Sequence, residues 1–266
     1  MNAIDRLLDV MAKLRDPETG CPWDVAQDFA TIAPYTIEEA YEVAEAIAEK
    51  DWPALKDELG DLLFQVVFYA QMAREDGLFD FEIIAEGVAE KMVRRHPHVF
   101  GDVSVADAEA QTDAWEAHKA AERTAKAEAE GRAVSVLDGV TTALPALTRA
   151  AKLQARAARV GFDWPVVAAV IDKIDEEILE LRVEFDAGAD RDRVMDEIGD
   201  LLFACVNLVR HAGIDPESAL RQGNAKFERR FRRIEEMLSE DGRNPEQSSL
   251  EEMDRLWDAV KAEERS

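Results

Sequence analysis

Cysteine is nearly absent from this chain. Cys21 and Cys205 are the two in 266 residues, too few for a disulfide framework, and no CxxC or Cys/His cluster offers a zinc site. Cys205 falls among apolar residues at helical spacing and is expected in the core. Long apolar runs are also missing: none approaches the ~20 residues of a membrane span. The opening MNAIDRLLDVMAKLRD carries an acid at its fifth position and has no apolar segment with a cleavage site, so a cytoplasmic location is expected. Basic residues are scarce, with 32 Lys and Arg against 57 Asp and Glu and a net charge of −25. That deficit counts against nucleic acid as a partner, since the average surface repels phosphate. A small anionic ligand stays open where metal ions and a few cations reverse the local sign. No P-loop or GxSxG occurs, which removes a Walker-type NTPase and an α/β-hydrolase. None of His96, His98, His118 and His211 completes a Glu-x-x-His pair, which argues against a di-iron carboxylate bundle.

What is present is enough for a packed core, 47% hydrophobic with 33% charged, and the composition is not that of a disordered chain. Strand-like alternation is scarce and helical periodicity is not. Leu59, Leu62, Leu63, Val66, Val67 and Ala70 recur at i, i+3, i+4, i+7, i+8 and i+11, one face of a helix. The same stripe returns as Ile198, Leu201, Leu202, Cys205, Val206 and Val209. The recurrence extends along the chain. DELGDLLF (57–64) reappears as DEIGDLLF (196–203), EEAYE (38–42) as EEILE (176–180), KMVRRH (91–96) as KFERRF (226–231), and WEAHKAAER (115–123) as WDAVKAEER (257–265). Trp23 of CPWD has a counterpart in Trp164 of GFDW. Blocks repeated in one order signal an internal duplication. The reading is all-α: two tandem helical-bundle domains, at residues 1–123 and 135–266, joined by a linker at 124–134 where TAKAEAEGRA frays.

The repeated polar residues are mostly carboxylates at helical spacing. Glu39 with Glu42, and Glu58 with Asp61, each share a helix face, as do Glu177 with Glu180 and Glu197 with Asp200 in the second copy. The short connection from Glu42 to Glu58, with Pro53 near the turn, suits antiparallel neighbours. Carboxylates so gathered repel one another unless a cation lies between them, and hard divalent ions prefer oxygen ligands. Two or more ions would suit in-line attack on phosphorus. A solvated helix face is the plainer explanation, and Thr36 with Glu39 would then be a capping box. Glu177 has no Ser or Thr three residues before it, so that explanation does not carry over to the second copy. Lys91, Arg94 and Arg95, and likewise Lys226, Arg229 and Arg230, form basic clusters suited to clamping polyphosphate, or to pairing with nearby Glu228, Glu235 and Glu236. Trp115 and Trp257 are candidates for stacking on a base or for the core. Gly60 and Gly199 interrupt good helices, which suggests close approach by a helix or ligand.

EExxE followed by ExxD, with GDLLF, resembles the MazG family within the all-α nucleoside triphosphate pyrophosphatases. CPWD, TIAPYTIEEAYEV, GDLLFQVVFYAQ, RRHPHVFGD, VGFDW and NxKFxRRF extend the resemblance over essentially the whole chain. It implies Mg²⁺-dependent hydrolysis of nucleoside triphosphates to monophosphate and pyrophosphate, with broad specificity and Mn²⁺ as a substitute ion. Glu177, Glu180, Glu197 and Asp200 would hold metal, with a possible second site at Glu39, Glu42, Glu58 and Asp61. Glu176 or a metal-bound hydroxide would prepare the attacking water. Lys173, Glu176, Asp196, Lys226 and Arg230 would contact substrate, and Trp257 with Lys261 the nucleoside. A homodimer is implied. The second domain is favoured as the active one, because His96 replaces the second copy's Phe and Pro97 cuts the first copy's helix. Two other readings stand: a narrower pyrophosphohydrolase for dUTP or phosphoribosyl-ATP, and a nucleotide-binding regulator without catalysis.

Overall fold

A computed structural model describes residues 2–102 and 107–265. Every regular element among them is a helix, and none is long and apolar enough to cross a membrane. The chain divides into two compact units, Met1–Lys119 and Ala120–Ser266.

The first unit is built on a helical hairpin, α3 (Phe29–Glu49) and α4 (Trp52–Glu75), with α1 (Ala3–Leu14) packed against α4. Short α2 (Pro22–Val25) precedes the hairpin, and α5 (Phe81–Arg95), α6 (Pro97–Phe100) and the start of α7 (Ala108–Ala129) follow it. Asn2 caps α1 in a reciprocal box with Asp5, and Asp28 caps α3 in one with Thr31. Helix α3 therefore begins seven residues before Thr36, and the alternative capping box of Thr36 and Glu39 does not form. The Thr36 hydroxyl lies 2.9 Å from the Tyr69 hydroxyl on α4 and so ties the hairpin together. Met11, Ile32, Val67, Phe68 and Met72 are buried at the centre, with Leu7, Phe29 and Phe64 around them.

The second unit repeats the plan. The hairpin is α9 (Val167–Ala187) and α10 (Arg191–His211), and α8 (Ala146–Ala158) packs on α10 as α1 does on α4. Helices α11 (Pro216–Glu240) and α12 (Leu250–Glu263) pack against each other over Ile234, Leu238 and Val260. Helix α7 runs on to Ala129, so residues 124–129 of the expected linker are helical.

Three expectations are corrected. Cys205 is half-buried rather than in the core, and burial pushes its thiol up. Leu59, Ile198 and Leu202 of the apolar stripes remain exposed. A Cβ added at Gly60 or Gly199 meets no described heavy atom within 4 Å, so no helix of this chain makes the expected close approach.

The two hairpin turns differ by one residue. Helix α3 ends on Lys50 with φ at 60°, and Asp51 at once caps α4. Helix α9 ends on Gly188 with φ at 63°, and Ala189 precedes the cap Asp190. Left-handed backbone suits glycine and strains a residue with a Cβ. Lys50→Gly should therefore stabilise the first unit by about 1 kcal/mol, read as a higher urea midpoint. An unchanged midpoint would show that the strain is relieved elsewhere.

Candidate active site

The α9–α10 hairpin places two acids of each helix opposite each other. Oxygen atoms of Glu177, Glu197 and Asp200 lie within 4.8 Å of one another. Glu180 falls outside that trio, yet its charge acts on Glu197. Burial pushes the Glu197 carboxyl up first, and Glu180, Glu177, Glu184 and Asp200 add like charge. Glu177 is 4% exposed, and its Oε2 has no hydrogen-bond partner. A buried carboxylate oxygen left unpaired costs several kcal/mol unless a cation or donor reaches it. The other oxygen, Oε1, lies 2.7 Å from Lys173 Nζ, which also holds Glu176 Oε1 at 2.6 Å. Those two hydrogen bonds raise the Lys173 ammonium above its usual range, that from Glu176 most. The protein thus places one cation of its own at the edge of the cluster. The oxygen-only donor set, its mutual repulsion and the unpaired Glu177 Oε2 fit a hard divalent ion. Asp196, exposed, immediately precedes Glu197 on α10.

The α3–α4 hairpin gathers Glu39, Glu42 and Glu58 in the same way, within 4.8 Å. Burial raises the Glu39 carboxyl first, followed by Asp61, Glu42 and Glu58. Glu58 is raised by burial and then by Glu42, Asp61 and Asp57. One difference was not seen in the sequence. The position matching Lys173 is occupied by Tyr35, whose ring meets Trp23 edge-on with centroids 6.0 Å apart. The first hairpin has no ammonium at that point.

The basic clusters lie on other helices. Arg229 and Arg230 of α11 each grip one oxygen of Glu264, at 2.8 and 2.7 Å. The Arg230 guanidinium also lies 5.4 Å from the Trp257 ring centre. The arginines do pair with a carboxylate, but with Glu264 rather than Glu228, Glu235 or Glu236. Trp257 is half-buried against the α11–α12 core and touches Phe227. Lys261 pairs with Asp258 at 3.0 Å, and Lys226 is exposed. The first unit keeps the same cation–aromatic pairing, with Arg95 4.8 Å from the Trp115 ring and Lys119 at 5.7 Å. His96 is in the ring cluster too, 5.1 Å from Trp115, and Pro97 begins a new short helix.

The sequence model of the MazG nucleotide pyrophosphohydrolase domain matches residues 27–100, which hold the first hairpin and α5. The nucleoside triphosphate pyrophosphohydrolase of Escherichia coli strain K12 is 52% identical over 265 residues, 99% of each chain. The nucleoside triphosphate pyrophosphohydrolase/pyrophosphatase MazG of Thermotoga maritima is 43% identical over 257 residues, 97% of this chain and 95% of its own. A solved MazG-related protein from Thermotoga maritima aligns with 43% of this chain and 97% of its own at 30% identity, with a TM-score of 0.37.

Proposed function

The chain belongs to the MazG family of nucleotide pyrophosphohydrolases, and from that membership we propose that it hydrolyses nucleoside triphosphates to monophosphates and pyrophosphate. The observation that carries the reading is the set of convergent acids on α9 and α10, with a buried, unpaired oxygen on Glu177. Glu177, Glu180, Glu197 and Asp200 are the residues to hold Mg²⁺, with Mn²⁺ a substitute. When bound, such ions supply neutralisation of the charge on the reacting phosphates.

The remaining steps belong to the chain. Water attacks the α-phosphorus, a new P–O bond forms, and the bond to the bridging oxygen breaks, so that pyrophosphate leaves. Glu176 is exposed and oriented by Lys173, which fits it to take the proton of that water. Asp196 supports the cluster from α10. Lys226 and Arg230 hold phosphates, Arg through its planar fork. Trp257 and Lys261 flank the nucleoside.

Broad base specificity and a cytoplasmic setting belong to the same reading, with nucleic acid and membrane excluded as partners. The exposed apolar side chains of the second hairpin support a homodimer. Leu179, Val183 and Phe185 of α9 and Leu202 of α10 are more than half exposed, and a second copy would cover them. The second unit is the main catalytic one, and Glu39, Glu42, Glu58 and Asp61 offer a second metal site. A narrower substrate, dUTP or phosphoribosyl-ATP, would appear as one nucleotide turned over far faster than the rest.

Pyrophosphate release from the eight common nucleoside and deoxynucleoside triphosphates tests this, with Glu180→Ala and Glu42→Ala run beside wild type. The expected result is release from several nucleotides, lost in Glu180→Ala and kept in Glu42→Ala, with helicity intact in both. Partial loss in each would mean two working sites. No release by folded wild type would leave a binding role.

A further inference from the structure

The second unit contains a cavity of about 680 Å³ between α8, α9 and α10, within the range of small-ligand pockets. Leu153, Val170 and Phe203 make its walls apolar. Phe162 and Trp164 also line it and remain exposed to solvent, so the apolar surface runs out to the mouth. None of the lining residues belongs to α11 or α12, and the cavity is thus separate from the place assigned to the nucleoside beside Trp257 and Lys261. Lys173 lines it from α9. Its Nζ also holds Glu177 Oε1 at 2.7 Å, so the cavity and the carboxylate cluster share one side chain.

Gln154 is the unusual member of this lining. It is 6% exposed. Its Nε2 donates to the Phe203 carbonyl at 2.7 Å, which fixes the amide's orientation, since a flip would set two acceptors against each other. Its Oε1 then has no partner. An unsatisfied buried acceptor is costly, and a pure hydrocarbon occupant would leave it so. An ion suits the cavity no better. Asp163, the acid of the lining, accepts from Arg210 and His211 and has no charge left for a cation. The carboxylates behind Lys173 repel an anion. The chemistry that fits is a neutral, mostly apolar molecule with one N–H or O–H donor, and the rings of Phe162 and Trp164 favour an aromatic one.

We infer that this cavity binds a neutral aromatic molecule of that kind as an effector distinct from the substrate, with its donor on Gln154 Oε1, and that its presence opposes metal binding at Glu177. An occupant packs on the methylene stem of Lys173 and holds the ammonium on Glu177, where it competes with a divalent ion for the same carboxylate. Binding stands on the cavity alone. The opposition to metal rests on the metal reading of Glu177, Glu197 and Asp200.

Calorimetric titration of the full chain with indole and with benzofuran tests the site. The two share a shape, and benzofuran carries an ether oxygen where indole has its N–H. Indole should bind with a Kd below about 1 mM. It should bind roughly tenfold tighter than benzofuran, the value of a hydrogen bond made to an otherwise unsatisfied acceptor. Gln154→Met should bring that ratio close to one. Ala157→Phe, whose ring fills the cavity, should abolish binding of both and decides the matter if Gln154→Met fails to fold. Mg²⁺ should weaken indole binding about fivefold, and indole should weaken Mg²⁺ binding by the same factor, since coupling between sites is reciprocal. No binding of indole, a wild-type ratio near one, or binding unmoved by Ala157→Phe overturns the site. Loss of indole binding as protein concentration rises would put a second copy in the cavity, and complete exclusion of indole by α,β-methylene ATP would put substrate there; either result overturns it too. Indole affinity indifferent to Mg²⁺, with Mg²⁺ itself bound, overturns the effector role. No Mg²⁺ binding at all overturns the metal reading, and the ratio of indole to benzofuran still decides the site.

Discussion

Glu197→Gln should abolish pyrophosphate release, lowering kcat by more than about a hundredfold, and at the same time raise the melting temperature measured without divalent ions. The activity follows from the donor set. On the proposed ligand set, removing one anionic ligand would weaken metal binding by more than the ten- to hundredfold that outer-shell changes already cost. The stability gain follows from the apo cluster. Burial and four neighbouring carboxylates all push the Glu197 carboxyl up, so its ionised form opposes folding at neutral pH. Glutamine keeps the shape and removes the charge. Adding Mg²⁺ should raise the melting temperature of wild type strongly and of the variant little, because a ligand bound to the native state stabilises it by mass action. Calorimetric scans with EDTA and with Mg²⁺ check both halves. A variant less stable than wild type in EDTA would show that Glu197 is held by favourable contacts and that the cluster is not strained.

The second large effect concerns Arg230. Arg230→Ala should raise KM for nucleoside triphosphate about ten- to a hundredfold, the value of a charge-assisted hydrogen bond to phosphate. Glu264→Ala should do the opposite and lower KM, since Glu264 occupies the forks of Arg229 and Arg230. Hydrogen bonds from Arg230 and then Arg229 hold the Glu264 carboxyl down at about 2. A carboxyl lowered in the folded protein contributes stability above its unfolded value of about 4.5 and loses it as pH falls toward 2. The clasp is therefore fully formed at every pH where the enzyme would be assayed. The KM ratio of wild type to Glu264→Ala should stay flat from pH 6 to 9 and shrink with added salt, because the pair is partly exposed. Initial rates across a salt series give the answer. An unchanged KM in Glu264→Ala would mean that phosphate never competes for these arginines.

Much of this arrangement is legible in the sequence because the chain states it twice. DELGDLLF and DEIGDLLF fix the phase of α4 and α10, and acids three apart on each partner helix must then face the same seam. What escapes the sequence is set by groups distant along the chain. Glu264 lies 34 residues beyond Arg230, whereas Glu228, Glu235 and Glu236 stand next to it in sequence, so proximity along the chain named the wrong partners. Thr36 has the right neighbour for a capping box, but Asp28 already starts the helix, and Pro34 inside α3 conceals its first turns. Gln154 looks like any polar residue on an amphipathic helix until α8 is laid against α10 and its amide finds the Phe203 carbonyl. The exposure of Leu59, Ile198 and Leu202 escapes too, since periodicity tells which face is apolar and not what covers it.

The single extra residue between α9 and α10 has a consequence for how this architecture tolerates change. The turn lies at the tip of the hairpin, more than one helical turn from the acids on either side. Side chains packed along the seam set the rotation of each helix, and Gly188 with Ala189 simply spans whatever gap is left. The tip behaves as a slip joint: the loop absorbs a change in length that would throw every acid off its face if made within a helix. Insertions at residues 50–51 or 188–190 should thus be inherited cheaply, and a purification tag or reporter peptide placed there has the best prospect of leaving the carboxylates in register.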